Sequence, residues 1–477
     1  MTAPGPPAKL GPLSNGSDAR GVLAQLWRWA VEDPAALDST RLTGGDPVLP
    51  SNFKIATAAT ASIAAAGLAA AELWRLRGGR RQRVAVDARA AAAAFRSERY
   101  LRVDGRQPPG AWHPVSGFYR AGDGRWIQLH CNFPHHRDGV LRVLGCDGTR
   151  EAVTVAVAGW KAAELEDALA AAGLCAGMVR APDEWQRDPQ AQAVAELPLF
   201  EIVQIGEAPA EAPGSGDRPL SGVRVLDLTR VIAGPVCGRT LAEHGADVLL
   251  VTAEHLPSIE VHVIDFGHGK RSARLDLRRA DHAERLRSLI RSCDVICQSY
   301  RPGALAAHGL SAEELARLRP GIVYVTLSAY SHVGPWRERR GFDSLVQSVS
   351  GIAHEGGAAA GLDGPKHLPA QALDHATGYL AAFGAMVALA RRARAGGSYL
   401  VRVSLAQTGR WIDRLGRVAG LGAPDPRVED VDEFLQTTET PFGVLRHVAP
   451  AAKLSETPAH WACPSVPLGT HAPEWWT

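Results

Sequence analysis

Two stretches of the chain are apolar over many turns of helix, KIATAATASIAAAGLAAAEL at 54–73 and LPAQALDHATGYLAAFGA at 368–385. Neither shows the one-sided stripe of a surface helix, so both are predicted to be buried all round. They align without a gap at a constant offset of 317. Thr60 meets Thr377, Gly67 meets Gly384, Arg77 meets Arg394 and Gly79 meets Gly396, and then Val84 and Val86 meet Val401 and Val403. Alanine matches carry little weight in so alanine-rich a chain, but the others in one frame indicate an internal duplication. Two copies this far apart do not make a solenoid. In the same frame Asp374 of the second copy meets Thr57 of the first.

Past residue 222 the pattern changes to short β-branched runs alternating with helical ones. VRVLDLT, ADVLLVT, DVICQSY and GIVYVTLSA are the strands, and CGRTLAEHG, HAERLRSLIRS and SAEELARLRP the helices. Ser311 followed by Glu314 fits a capping box on the last of these. Such alternation predicts a doubly wound, largely parallel, Rossmann-like α/β sheet. Ligands of such sheets lie at the carboxyl ends of the strands, here 228–230, 251–253, 299–301 and 328–331. Upstream, FYRAGDGRWIQLHC predicts a hairpin turning at Gly122-Asp123-Gly124, with helices such as AAELEDALAAAG after it, hence a smaller α+β domain. The Pro/Gly/Ser-rich EAPAEAPGSGDRPLSG between the two patterns is a linker.

Composition narrows the picture a little. A hydrophobic content of 46% and a formal charge of +2 describe a globular chain, and no nucleic-acid partner is implied. The seven cysteines form no CxxC pair and their number is odd, so buried reduced thiols and a cytoplasmic location are expected. The first eighteen residues lack the apolar run of a signal peptide, and the alanine-dominated 55–73 is too weakly apolar for a membrane span. HCNFPHHRDG brings together His130, His135 and His136 without a spaced acidic or Cys ligand, so no metal is expected.

On local sequence Asp374 is an N-cap, and a helix N-terminus favours its ionised form by roughly 0.3–1 kcal/mol. The same geometry suits a nucleophile. The motifs LSGVRVLDLTRVIAGPVCGRTLAEHGADVLLV, HGKRSARLDL, DVICQSYRPGALAAHGL, RPGIVYVTLSAYSHVGPWRERRGFDSLVQSVSGI and ALDHATGYLAAFGA follow one another over 219–410. In that order the chain resembles the family III CoA-transferases, the group of formyl-CoA:oxalate CoA-transferase, carnitine CoA-transferase and α-methylacyl-CoA racemase. The resemblance implies an acyl-CoA:carboxylate CoA-transferase whose aspartate, here Asp374, attacks the thioester through a covalent intermediate. Coenzyme A, carried as acyl-CoA, and a carboxylic acid acceptor are the implied partners, with no metal, no membrane and a possible homodimer. It implies CoA contacts at Ala233, Lys270, Arg271, Tyr300, Arg301 and Arg340.

The sequence also departs from the family. Ile232 stands where the formyl-CoA enzyme has glutamine, and the loop after the second strand is reduced to TAEHLPSIE. Phe342 stands where the racemases carry a histidine. Two-base proton transfer then lacks one partner, so transfer is expected over the alternatives, racemisation or CoA binding without catalysis. The expected division is a disordered tail at 1–22, a degenerate copy of the catalytic-helix segment at 23–97 and the small domain at 98–206. A linker at 207–218, the CoA-binding catalytic domain at 219–410 and a C-terminal extension at 411–477 complete it. This order suggests two fused, trimmed family subunits sharing one active site per chain, with the 130–139 loop facing the acyl group.

Overall fold

A computed structural model describes residues 18–30, 32–301 and 303–476. Most of the expected tail lies outside these residues. Where description begins, Asp18 caps the helix Ala19–Trp29, accepting the Gly21 N–H at 2.8 Å.

The expected sheet is present and has seven strands. Its order is Lys270–Arg274, Asp247–Thr252, Arg224–Leu228, Val295–Gln298, Val323–Ser328, Ser398–Ser404 and Phe200–Gly206, all parallel except the last. Successive residues serve opposite faces. Val225, Val248, Val295 and Val323 join the core that holds both long helices, whereas Leu226, Leu249, Ile296 and Tyr324 meet Leu286, Leu289 and Leu315 on the other side. Burial on both faces explains the nearly unbroken apolar runs. The expected capping box closes on Ser311 and Glu314.

Both edges of this sheet differ from the sequence expectation. GKRSAR, whose Lys270 and Arg271 are expected as CoA contacts, is the edge strand Lys270–Arg274, and Phe200–Gly206, placed at the end of the small domain, pairs antiparallel with Ser398–Ser404. Backbone pairing is joined there by Phe200 and Ala273 in the cores and by the ion pairs Lys270–Asp227 and Arg271–Asp247. The C-terminal extension is ordered against both halves. Lys453–Leu454 pairs with Val84–Asp87, and the hairpin Leu435–Thr440/Gly443–Val448 pairs with Arg102–Val103. Further on, the His471 N–H donates to Ser272 O at 2.7 Å, covering the open edge of Lys270–Arg274. The hairpin of the small domain forms as expected, Gly117–Arg120 against Trp126–Leu129, with Ala176–Met178 as a third strand.

The duplicated segments become the long helices Ile55–Leu76 and Ala372–Ala395, which pack against each other. By length and mean hydropathy (1.4 and 1.2) both match membrane spans, contrary to the sequence reading of the first, yet those windows are wholly buried inside the protein. The repeat also explains its own conserved frame. A Cβ on Gly67 would come within 3.0 Å of Val84, and one on Gly384 within 2.6 Å of Val401. In each copy a glycine lets the helix lie directly on the strand that follows it.

Candidate active site

Asp374 is the third residue of its helix, and the cap position, Gln371, makes no side-chain bond. The cap comes from elsewhere. Asp343, first residue of the helix Asp343–Val349, accepts the Asp374 backbone N–H at 2.8 Å, while Gln347 donates to the other Asp343 oxygen and accepts from the Leu368 N–H at 2.8 Å. The Asp374 side chain is thereby released from capping. The first copy is built alike, since Asp46 accepts the N–H groups of Ala56 and Thr57 at 2.9 and 2.8 Å. Thr57 therefore does not cap its helix.

Asp374 opens onto a cleft of about 160 Å³ that also exposes Asp343, Glu98, Arg99, His130 and Phe342. Glu98 and Arg99 belong to the short turn of helix Ser97–Tyr100 in the first half of the chain. They are held there by a bond between Glu98 Oε2 and His375 Nε2 at 3.3 Å and by Ser97 Oγ donating to Asp265 at 2.5 Å. The His375 ring stacks on Phe95, 5.5 Å between centroids. His130 lies flat on Phe342, with centroids 3.8 Å apart and planes 6° apart. His130 and Asn132 thus carry the expected loop to the site, while His135 and His136 do not line it. No metal-binding group of His, Cys, Asp or Glu occurs among the described residues.

Three carboxyl groups in one buried cleft repel one another's charge. Burial first, then Asp343 and Glu98, push the Asp374 carboxyl well above the usual aspartate range. Burial raises Asp343 to about 7 against the bonds it accepts. Burial also opposes ionisation of Glu98, but the hydrogen bond and charge of His375 outweigh it and hold Glu98 at about 2. The His130 imidazole is pushed down to about 3 by burial.

The other wall of the cleft is the turn after Arg224–Leu228. Val231 there has φ +75°, an outlier for a β-branched residue and a sign of stored strain. Ala233 starts the next helix, and its carbonyl oxygen would lie 2.5 Å from a Cβ on Gly378, so backbone lies against the second long helix one turn beyond Asp374. Lys270 supports this turn from below. Its Nζ donates to Asp227 Oδ2 and Pro235 O, both at 2.8 Å, in a site that leaves the residue 2% exposed.

Lys270 therefore offers no free ammonium to a nucleotide, and Arg271 no free guanidinium. Arg271 bonds both Asp247 oxygens at 2.8 and 2.9 Å and Glu474 O at 2.6 Å, beneath the Trp476 ring. Tyr300 and exposed Arg340 lie near Arg230, at the carboxyl edge of the sheet. Arg301 lines a separate polar cleft of about 220 Å³ with Gln298, His332 and Arg402. Sequence reasoning missed Asp343, Glu98, Arg99 and Arg230. Asp343 stands in the GFDSL motif, but nothing local marks Glu98.

The cleft joins a buried helix N-terminus, a strained turn at a strand end and a carboxyl that caps no helix and pairs with no cation among the described residues. The CoA-transferase family III profile matches residues 37–198 and 220–414, and the chain belongs to that family. Acetyl-coenzyme A transferase nodX of Hypoxylon pulicicidum is 32% identical over 324 residues, 63% of this chain and 54% of that protein. The beta subunit of succinyl-CoA--L-malate CoA-transferase of Chloroflexus aurantiacus is 33% identical over 197 residues, 38% of this chain and 48% of its own. A crystal structure of Rv3272 from Mycobacterium tuberculosis aligns with a TM-score of 0.37 at 30% identity, covering 42% of this chain and 58% of that one. The chain spans about half the length of the curated relatives it matches.

Proposed function

We propose that the chain is an acyl-CoA:carboxylate CoA-transferase with Asp374 as its nucleophile. One observation carries this reading. Asp374 is the cleft carboxyl that neither caps a helix nor pairs with a cation among the described residues, because Asp343 has taken over the cap. In the ionised form Asp374 attacks the thioester carbonyl carbon, the C–S bond breaks, and CoA leaves as thiolate from a mixed aspartyl–acyl anhydride. Return of the thiolate to the anhydride passes CoA to the enzyme or back to the acyl group, and an acceptor carboxylate completes the transfer. Desolvation of the carboxylate raises its nucleophilicity, at the cost of a higher pKa.

Racemisation is the weaker reading. The imidazole stacked on Phe342 belongs to His130, and burial makes it a poor proton acceptor. The fusion of two family subunits is supported by the two separate stretches of family match and by the paired long helices. On that reading the first half supplies Glu98, Arg99 and His130, so one chain completes one site without a partner copy. The seven free cysteines suit a cytoplasmic protein.

Exchange of isotopically labelled CoA into an unlabelled acyl-CoA tests the reading without knowledge of the acceptor. Exchange should occur with the wild type and vanish in Asp374→Asn. Exchange surviving in that variant contradicts the assignment.

A further inference from the structure

The cleft of about 220 Å³ that Arg301 lines opens at the carboxyl end of the seven-stranded sheet, on the face away from the Asp374 helix. One row of the ladder crosses it. Gln298, Thr326, Arg402 and Glu201 pair in register on four neighbouring strands. The row beneath on the same face, Ile296, Tyr324 and Leu400, is apolar and shares a core with Leu315. Core packing accounts for that lower row and not for the charges one step above it. Gln298 is spent on Thr326, its Nε2 donating to Oγ1 at 2.6 Å. The charges are not spent. Glu201 Oε1 lies 3.9 Å from Arg402 Nη1 and its Oε2 3.7 Å from His332 Nδ1, both beyond hydrogen-bond distance. Burial first, then the charge of Arg402, pushes the His332 imidazole below its usual range. Neither Glu201 nor Arg402 has a closer ion or a side-chain hydrogen bond among the described residues, although their side chains are only 16% and 34% exposed.

We infer that this cleft is a separate binding site for a small molecule carrying both an ammonium and a carboxylate, an α-amino acid with an apolar side chain. The ammonium donates to Glu201, and the carboxylate accepts from Arg402 with the exposed Arg301 guanidinium at the rim. Leu305 and Leu310, which also line the cleft, receive the side chain. A plain anion is repelled by Glu201 and a plain cation by Arg402, so a molecule with both charges fits the pair best. The volume suits such a ligand, lying below the roughly 300–1,000 Å³ of pockets for drug-sized molecules. Ser331 and His332 line this cleft, and the loop that carries them runs on to Phe342 and Asp343 in the Asp374 cleft. The site does not depend on the transferase reading.

L-Leucine, isocaproate and isoamylamine share a branched skeleton and separate the two charges, since the second lacks the ammonium and the third the carboxylate. Titration calorimetry of the full chain should show leucine binding roughly tenfold or more tighter than either half, the worth of one charged hydrogen bond. Glu201→Gln and Arg402→Gln should each weaken leucine by about that factor, and only Arg402→Gln should weaken isocaproate. Saturating CoA should leave leucine bound. No leucine binding, equal binding of the three compounds, or leucine affinity unchanged in both variants overturns the inference. Displacement of leucine by CoA overturns it as well, because the cleft would then belong to the acyl-CoA site.

Discussion

Asp343 and Asp374 meet through a backbone amide, the Asp343 carboxylate accepting the Asp374 N–H at 2.8 Å while the Asp374 carboxyl stays in the cleft. One aspartate closes the helix and the other is left for chemistry. In the first copy Asp46, from a different position of the repeat, closes the helix, and Thr57 stands in place of Asp374.

This division predicts how each site fails. Asp46→Ala should destabilise the protein by about 0.5–2 kcal/mol, the usual cost of a lost cap, whereas Thr57→Ala should cost less. Denaturant unfolding of the two variants compares them. A larger loss from Thr57→Ala contradicts the assignment of the cap to Asp46.

The pH dependence follows from the crowding of acids. Attack needs ionised Asp374, whose pKa is raised by burial and by the charges of Asp343 and Glu98. Asp343 beside it is itself raised to about 7 by burial, so the acid limb of exchange lies above the usual aspartate range. Exchange should rise with pH through that region. Glu98→Gln removes a negative neighbour and should move the limb to lower pH, and an unmoved or rising limb would count against the coupling.

The same shift makes the reactive group a burden on the fold. A carboxyl whose folded pKa is raised adds stability in acid and loses it as pH climbs to the folded value. Asp374→Asn should therefore melt above the wild type, with a gap that opens from about pH 4 upward and levels off beyond the folded pKa. A gap independent of pH would contradict the raised pKa.

Lys270 separates structural from ligand-binding roles. Replacing it with Met leaves Asp227 buried without its partner, at a cost of about 3–5 kcal/mol. Thermal or denaturant unfolding should show this loss. A variant of wild-type stability with only a raised KM for acyl-CoA would restore Lys270 as a CoA contact.

Much of this was legible in sequence, for identifiable reasons. The long helices announce themselves by unbroken apolar runs and the parallel strands by short β-branched ones, whereas Asp374 reads locally as an N-cap and only the family resemblance marks it as a nucleophile. Lys270 and Arg271 look like a surface pair. In the edge strand, however, successive residues point to opposite faces, one into the layer with Asp227 and the other under the C-terminal segment. Glu98 and His375 lie 277 positions apart, and only the folded chain brings them together.

The most direct test of the central claim is to trap the covalent intermediate. Wild-type protein incubated with acyl-CoA, reduced with borohydride and digested should carry homoserine in place of aspartate at position 374, located by peptide mass spectrometry. Modification of any other carboxylate, or none with acyl-CoA turning over, would contradict the account.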